Sequence, residues 1–165
     1  ENLIQRAPSE LPATVKYKDR TFHFLPYKFD SGFEKTILEE SLRDEYLKNC
    51  NLEIYFNGEK DITDFRIACY TENNKYVGKY TPDFLIIQRK DGAIYRVLIV
   101  ETKGSGFADQ EAFKLRRKFV ENGFLKMNNE KFGYKKFDYL YLTDADSLAD
   151  NLDKINRKLK EFFCD

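Results

Sequence analysis

Residues 80–104 read YTPDFLIIQRKDGAIYRVLIVETKG, two apolar runs on either side of an Asp91-Gly92 turn signal. Runs of this length, bounded by turn residues and joined through Asp-Gly, predict a β-hairpin. The first run, Phe84 to Ile87, opens directly after Pro82-Asp83, and the second, Val97 to Val100, closes directly into Glu101-Thr102-Lys103. Charge therefore collects at one end of both strands. The second run is apolar on both faces, the pattern of a central strand flanked by helices.

Side chains alternate across a strand, so Glu101 and Lys103 leave one face together and Thr102 leaves the other. Where Asp83 lands depends on the turn. An odd-numbered loop pivoting on Gly92 sets Asp83 opposite Glu101, on the same face. A two-residue Asp91-Gly92 loop pairs Lys90 with Ala93 and sets Asp83 opposite Val100, facing away from Glu101, unless a bulge restores the parity. Sequence alone leaves both registers open. A buried hairpin with charged ends is the plainer reading in a chain with 34% charged residues. Acids at the end of both runs, with a lysine beside one of them, favour a functional site.

Thr81-Pro82-Asp83-Phe84 followed by Val100-Glu101-Thr102-Lys103-Gly104 resembles the signature of the PD-(D/E)XK nuclease superfamily. The resemblance covers residues 30 to 145 and implies an α/β fold with a restriction-endonuclease-like αβββαβ core, a mixed central sheet flanked by helices. It also implies hydrolysis of DNA to 5′-phosphate and 3′-hydroxyl ends. Asp30-Ser31-Gly32-Phe33-Glu34 is similar to the superfamily's first motif, in which a helix-borne glutamate supplements the metal site. Together with Tyr80-x-Pro-Asp and Glu-Thr-Lys-Gly, this tract looks most like the C-terminal nuclease domain of the helicase-like subunit of type III restriction enzymes. No Gly-x-x-x-x-Gly-Lys phosphate loop is present, so an ATP-dependent helicase or translocase would lie upstream of Glu1, with a modification subunit as partner.

The chain of 165 residues predicts one domain large enough to bury a core. Its 28 basic and 28 acidic residues balance, so nucleic-acid binding must come from local patches. Cys50, Cys69 and Cys164 are far apart and show no Cys-x-x-Cys spacing, which predicts reduced thiols and a cytoplasmic protein. No apolar run reaches the length of a membrane span. The start at Glu1 rather than Met suggests a domain of a longer polypeptide.

Residues 1–29 read as an N-terminal arm with short strands, and residues 30–165 as the nuclease domain. His23, the only histidine, sits between Phe22 and Phe24 as a strand residue. Phe33, Ile37, Leu38, Leu42 and Tyr46 follow helical spacing. Ser31 and Glu34 form a capping-box pattern. Glu34 is therefore either a cap partner or the helix-borne metal ligand, with Glu39 and Glu40 as competitors for that role. Leu52 to Phe56 and Ile62 to Tyr70 read as strands around a turn at Asn57-Gly58-Glu59-Lys60. After the Ser105-Gly106 link, Asp109 precedes a helix with Ala112, Phe113, Leu115, Phe119 and Val120, ended by Gly123. Its Lys114, Arg116, Arg117 and Lys118 make either a solvated basic face or a phosphate contact, with Lys114 and Arg117 as DNA-binding candidates. Phe137 to Leu142 reads as a strand. Asp144 and Asp146 fit caps for a last helix that carries Leu148, Leu152, Ile155, Leu159 and Phe162.

Asp83, Glu101 and Glu34, with the backbone carbonyl of Thr102, make a hard oxygen set that suits Mg²⁺ or Mn²⁺ better than zinc. Clustered carboxylates repel, so without metal one of them should have a raised pKa. Lys103 would orient the attacking water or stabilise transition-state charge. The expected reader of this site is DNA. A nuclease-like fold kept as an inactive DNA-binding or docking module is the alternative from another class, and RNA or branched DNA is the alternative substrate. Cutting both strands would need two such sites, hence a dimer or a partner.

Overall fold

The computed structural model describes residues 32–43, 50–57, 65–104 and 110–164. The arm with His23, the Ser31 cap, the turn beyond Asn57 with Ile62, Tyr46, Ser105-Gly106 and Asp109 lie outside these residues. In chain order the elements are α1 (Gly32–Arg43), β1 (Glu53–Phe56), β2 (Ile67–Tyr70), β3 (Tyr76–Tyr80), β4 (Phe84–Lys90) and β5 (Ala93–Lys103). They are followed by α2 (Glu111–Phe119), α3 (Leu125–Phe132), β6 (Phe137–Thr143) and α4 (Leu148–Phe163).

Period-two alternation splits the two long strands between two cores. Phe84, Ile86, Leu98 and Val100 turn to one face and pack with Leu140 and Leu142 of β6, Ile37 of α1, and Ile155, Leu159 and Phe162 of α4. Leu85, Ile87, Val97 and Ile99 turn to the other, where they meet Ile67, Cys69 and Tyr80 of β2 and β3 and Phe113 and Val120. The result is a mixed four-stranded sheet, order β1-β4-β5-β6, between two covering layers. β1, β4 and β5 are antiparallel, and β6 joins β5 in parallel. β2 and β3 form a separate two-stranded ribbon.

Asp91 and Gly92 both take positive φ, 53° and 78°, the geometry of a two-residue hairpin turn whose twist matches the strands. Lys90 pairs with Ala93 and Arg89 with Ile94, but Gln88 pairs with Arg96. Tyr95 is thus one extra residue on β5. From there on the register shifts by one, and Phe84 pairs with Val100. Both halves of the sequence conflict are resolved: the turn is the two-residue one, and a bulge restores the parity. Contacts far from the turn hold the shift in place. Gln88 Nε2 donates to the Phe163 carbonyl at 3.2 Å, and Arg96 Nη1 donates to the Phe162 carbonyl. Both donors therefore cap the carbonyl end of α4, where a cation is favoured. Tyr95 stacks on Tyr134 with centroids 5.1 Å apart.

Two helix readings need correction. Gly123 does not end the helix, because its φ is not in the left-handed region. The chain continues through a π-helical turn, Val120–Phe124, into α3 and stops at Gly133, which has φ 74° and donates its N–H to Asn129 and Glu130 carbonyls. The predicted apolar stripes also overreach: Leu115 and Leu148 are exposed. Within the stretch Thr143 to Ser147, read as turn and cap residues, it is Ser147 that caps α4, accepting from the Asp150 N–H at 3.1 Å. Asp146 pairs with Lys154 instead.

Phe84 is among the largest fully buried side chains and adjoins Asp83. Phe84→Ala should lower the free energy of unfolding by about 3–5 kcal/mol through lost transfer and a cavity. Urea denaturation measures this, and a loss below about 1 kcal/mol would show that the site end of the sheet is not anchored there.

Candidate active site

The turn that delivers Asp83 is fixed from outside the hairpin. Asn57, fully buried at the end of β1, donates Nδ2 to the Pro82 carbonyl and to the Phe65 carbonyl, each at 3.0 Å. Its backbone N–H donates to the Asp83 carbonyl at 2.6 Å. With the backbone held on β1, the Asp83 carboxylate reaches across to β5. Its Oδ2 accepts from the Thr102 N–H at 2.7 Å and from the Thr102 hydroxyl at 2.8 Å.

One residue along, Glu101 is 2% exposed. The Tyr80 hydroxyl donates to its Oε2 at 2.6 Å, and the Lys103 ammonium stands 3.2 Å from its Oε1. Burial pushes the Glu101 carboxyl up, and the Asp83 charge pushes it further. Lys103 and Tyr80 pull it back, leaving a pKa of about 8. Of the two neighbouring acids, Glu101 therefore carries the raised pKa. Tyr80 is itself driven far above the usual tyrosine range by burial and by the Glu101 charge, so it stays a hydrogen-bond donor at any working pH. Lys103 rests over the Phe113 ring, 5.0 Å from its centre, which orients the ammonium while leaving its side chain 31% exposed.

Asp83, Glu101, Thr102 and Lys103 thus gather at one strand end. Glu34 is buried in the first turn of α1, in the layer packed on the opposite face from the Glu101 side chain. The expected trio of carboxylates is not seen as one cluster: among the described residues no group of three His, Cys, Asp or Glu is placed to hold a metal ion. The donor set present is a pair of carboxylates with hard oxygens, which suits a divalent cation that keeps several waters. Lys114 is half exposed and lies 3.8 Å from Glu111. Arg117 is turned inward, with its guanidinium 4.1 Å from the centre of the Tyr141 ring and 3.4 Å from Glu121. It braces α2 against β6 more than it faces solvent. The Glu39 side chain lies outside the described residues.

Sequence reasoning passed over two members of the site and gave a third a different role. Tyr80 appeared only as a letter of a motif, although an aromatic hydroxyl closing a strand just before Pro-Asp was a visible signal. Asn57 read as a turn residue. Thr102 was assigned its carbonyl, whereas its hydroxyl and N–H hold Asp83. No protein-family model matches the chain, and neither a curated protein nor a solved structure gives a match.

The raised Glu101 pKa makes stability depend on pH with a definite sign. The folded carboxyl holds its proton up to about 8, whereas the unfolded one releases it near ~4.3. The unfolded state thus binds fewer protons in that window, and Glu101's contribution is complete below it and lost as pH rises through it. Glu101→Gln should remove up to about 1 kcal/mol per pH unit of this slope, measured by urea denaturation in chelator between pH 5 and 8. Parallel curves for variant and parent would contradict the assignment.

Proposed function

We propose that the chain is a divalent-cation-dependent DNA endonuclease domain of PD-(D/E)XK type. Asp83 and Glu101 form its acidic pair and Lys103 its charged partner. One observation carries the reading: the bulge at Tyr95 puts Phe84 and Val100 in register, so that Asp83, just before β4, lies close enough to Glu101, near the end of β5, for its charge to act on it. The order of the main sheet supports it. Without the β2–β3 ribbon the elements run α1, β1, β4, β5, the continuous helix of α2 and α3, β6 and a closing α4, with three antiparallel strands followed by a parallel fourth. This is the αβββαβ succession that the motif resemblance implies, the ribbon being an insertion after the first strand.

A cation held by the Asp83 and Glu101 carboxylates would offset their repulsion and polarise a phosphate oxygen. The chain's own groups do the remaining work. Thr102 fixes the Asp83 carboxylate by two hydrogen bonds. Tyr80 does the same for Glu101 on the side away from Lys103. The Lys103 ammonium is placed to position a water against phosphorus and to stabilise charge growing on the phosphoryl oxygens as the 3′ oxygen departs. This assigns Lys103 positioning and charge stabilisation rather than the role of base. As in type III-like restriction enzymes, the domain would act beside an ATP-driven motor and a modification subunit, with Lys114 the accessible phosphate contact on α2.

A second reading has its own observation. Both Glu101 oxygens are engaged, by Tyr80 and Lys103, and no third carboxylate joins the pair among the described residues. That favours an inactive DNA-binding or docking module. Cleavage of supercoiled plasmid in Mg²⁺ separates the two. The enzyme reading expects nicking or cutting that chelator abolishes and that Asp83→Ala, Glu101→Ala and Lys103→Ala each slow by at least about 10²-fold. DNA binding without cleavage would favour the docking module. Cleavage that survives all three substitutions would place the chemistry elsewhere.

A further inference from the structure

A cleft lies at the far end of α2, away from the carboxylate pair and Lys103, and neither of them explains it. A cleft of about 640 Å³ opens between the β2–β3 turn, residues 71–74, and the stretch from Leu115 to Gly123. Its apolar side is Tyr70, Leu115 and Phe119. Tyr70 and Leu115 are 41% and 42% exposed, large apolar groups that solvent reaches. Tyr70 meets Phe119 edge-on at 5.9 Å and tilts against Tyr76 at 5.7 Å. Tyr76 is 52% exposed, so the aromatic surface continues outward from the cleft.

The polar side is a set of amides. Asn73, Asn74 and Asn122 line the cleft, and among the described residues none of their side-chain amides hydrogen-bonds to the protein. Each offers both a donor and an acceptor. At the rim Lys118 pairs with Glu72 at 2.7 Å, both side chains well exposed. The helix is built to present this wall. The π-helical turn Val120–Phe124 adds a residue to the helical repeat, and such turns concentrate at functional sites. Gly123 leaves room for the Phe119 ring, which a β-carbon there would approach to 3.0 Å.

An aromatic face, unpaired amides and a lysine at the rim match a flat π-system with donors and acceptors on its edge and a phosphate beside it. We propose that this cleft takes an unstacked base of single-stranded DNA, held by Tyr70 and Phe119 and read at its edge by the asparagines. The choice of DNA rests on the endonuclease reading above. The two sites share one helix: Phe113 touches Lys103, and Phe119 lies about 9 Å further along the axis. In the proposed complex a strand whose phosphate lies at Lys103 follows this helix and sets a nearby base in the cleft. The cleft makes the protein a binder of frayed or unpaired DNA next to the point of cleavage.

The test is fluorescence anisotropy of a labelled single-stranded oligonucleotide and of its duplex, at fixed salt and in chelator, with the full chain. The single strand should bind more tightly than the duplex. Tyr70→Ala and Asn122→Ala should each weaken single-strand binding at least about fivefold, Tyr70→Phe should preserve it, and Arg157→Ala, on the exposed face of α4, should leave it unchanged. Asn122 is exposed, so its variant tests the cleft even if Tyr70→Ala unfolds. Unchanged binding in folded Asn122→Ala, equal losses on single strand and duplex, or no single-strand binding by the parent chain would each overturn the proposal. Because the assay contains no metal, loss of plasmid cleavage with the binding pattern intact would count against the endonuclease alone.

Discussion

A strand has two faces, and one extra residue decides which of them a side chain occupies. The Asp91-Gly92 turn alone would set Asp83 against Val100. The unmatched Tyr95 pairs Phe84 with Val100 instead, so that the Asp83 carboxylate, just beyond the last pair, is held by Thr102 next to Glu101. The rest of the site depends on that shift, since it brings two acids to neighbouring strand ends and sets Lys103 one alternation further along the same face. Gln88 and Arg96 hold the shift from the opposite core by capping the last carbonyls of α4. A slip back would carry both donors off the helix end, leaving buried carbonyls unpaired at about 1–3 kcal/mol each. The geometry of one face is thus secured by hydrogen bonds on the other.

The electrostatics follow from this packing. Glu101 is the most buried acid in the sheet, and a carboxylate there is costly next to Asp83. The protein answers with one neutral donor, Tyr80, and one cation, Lys103. It does not fully neutralise the pair, and Glu101 keeps its proton to about pH 8. Two acids held together at this cost would contribute little to stability as a bare pair. They make physical sense where a second cation is expected between them, which is the strongest chemical argument for the endonuclease reading over a docking module.

Much of the layout was legible because it is local. The turn residues, the apolar runs and the helical spacing of α4 are each written within a few residues. The features that escaped depend on distant partners. The bulge follows from the end of α4, and Asn57 becomes a clamp only when β1 lies beside Pro82. Tyr80 becomes a donor only when β3 crosses the face of β5. Gly123 looked like a stop, but Phe119 folding over it and the π-helical turn carry the helix onward to Gly133. Arg117 looked like a phosphate contact, but the aromatic rings of β6 draw its guanidinium inward. Sequence patterns named the candidate residues, and tertiary packing decided which of them face one another.

The central claim is that the Asp83 and Glu101 carboxylates, brought together by the bulge, bind one divalent cation. A crystal soaked in Mn²⁺ and measured at the manganese absorption edge tests it most directly. An anomalous peak is expected within about 2.2 Å of an oxygen of each carboxylate, with both Thr102 hydrogen bonds to Asp83 preserved. A structure in which manganese is absent from this strand end, or binds elsewhere while Glu101 stays closed on Tyr80 and Lys103, would contradict it.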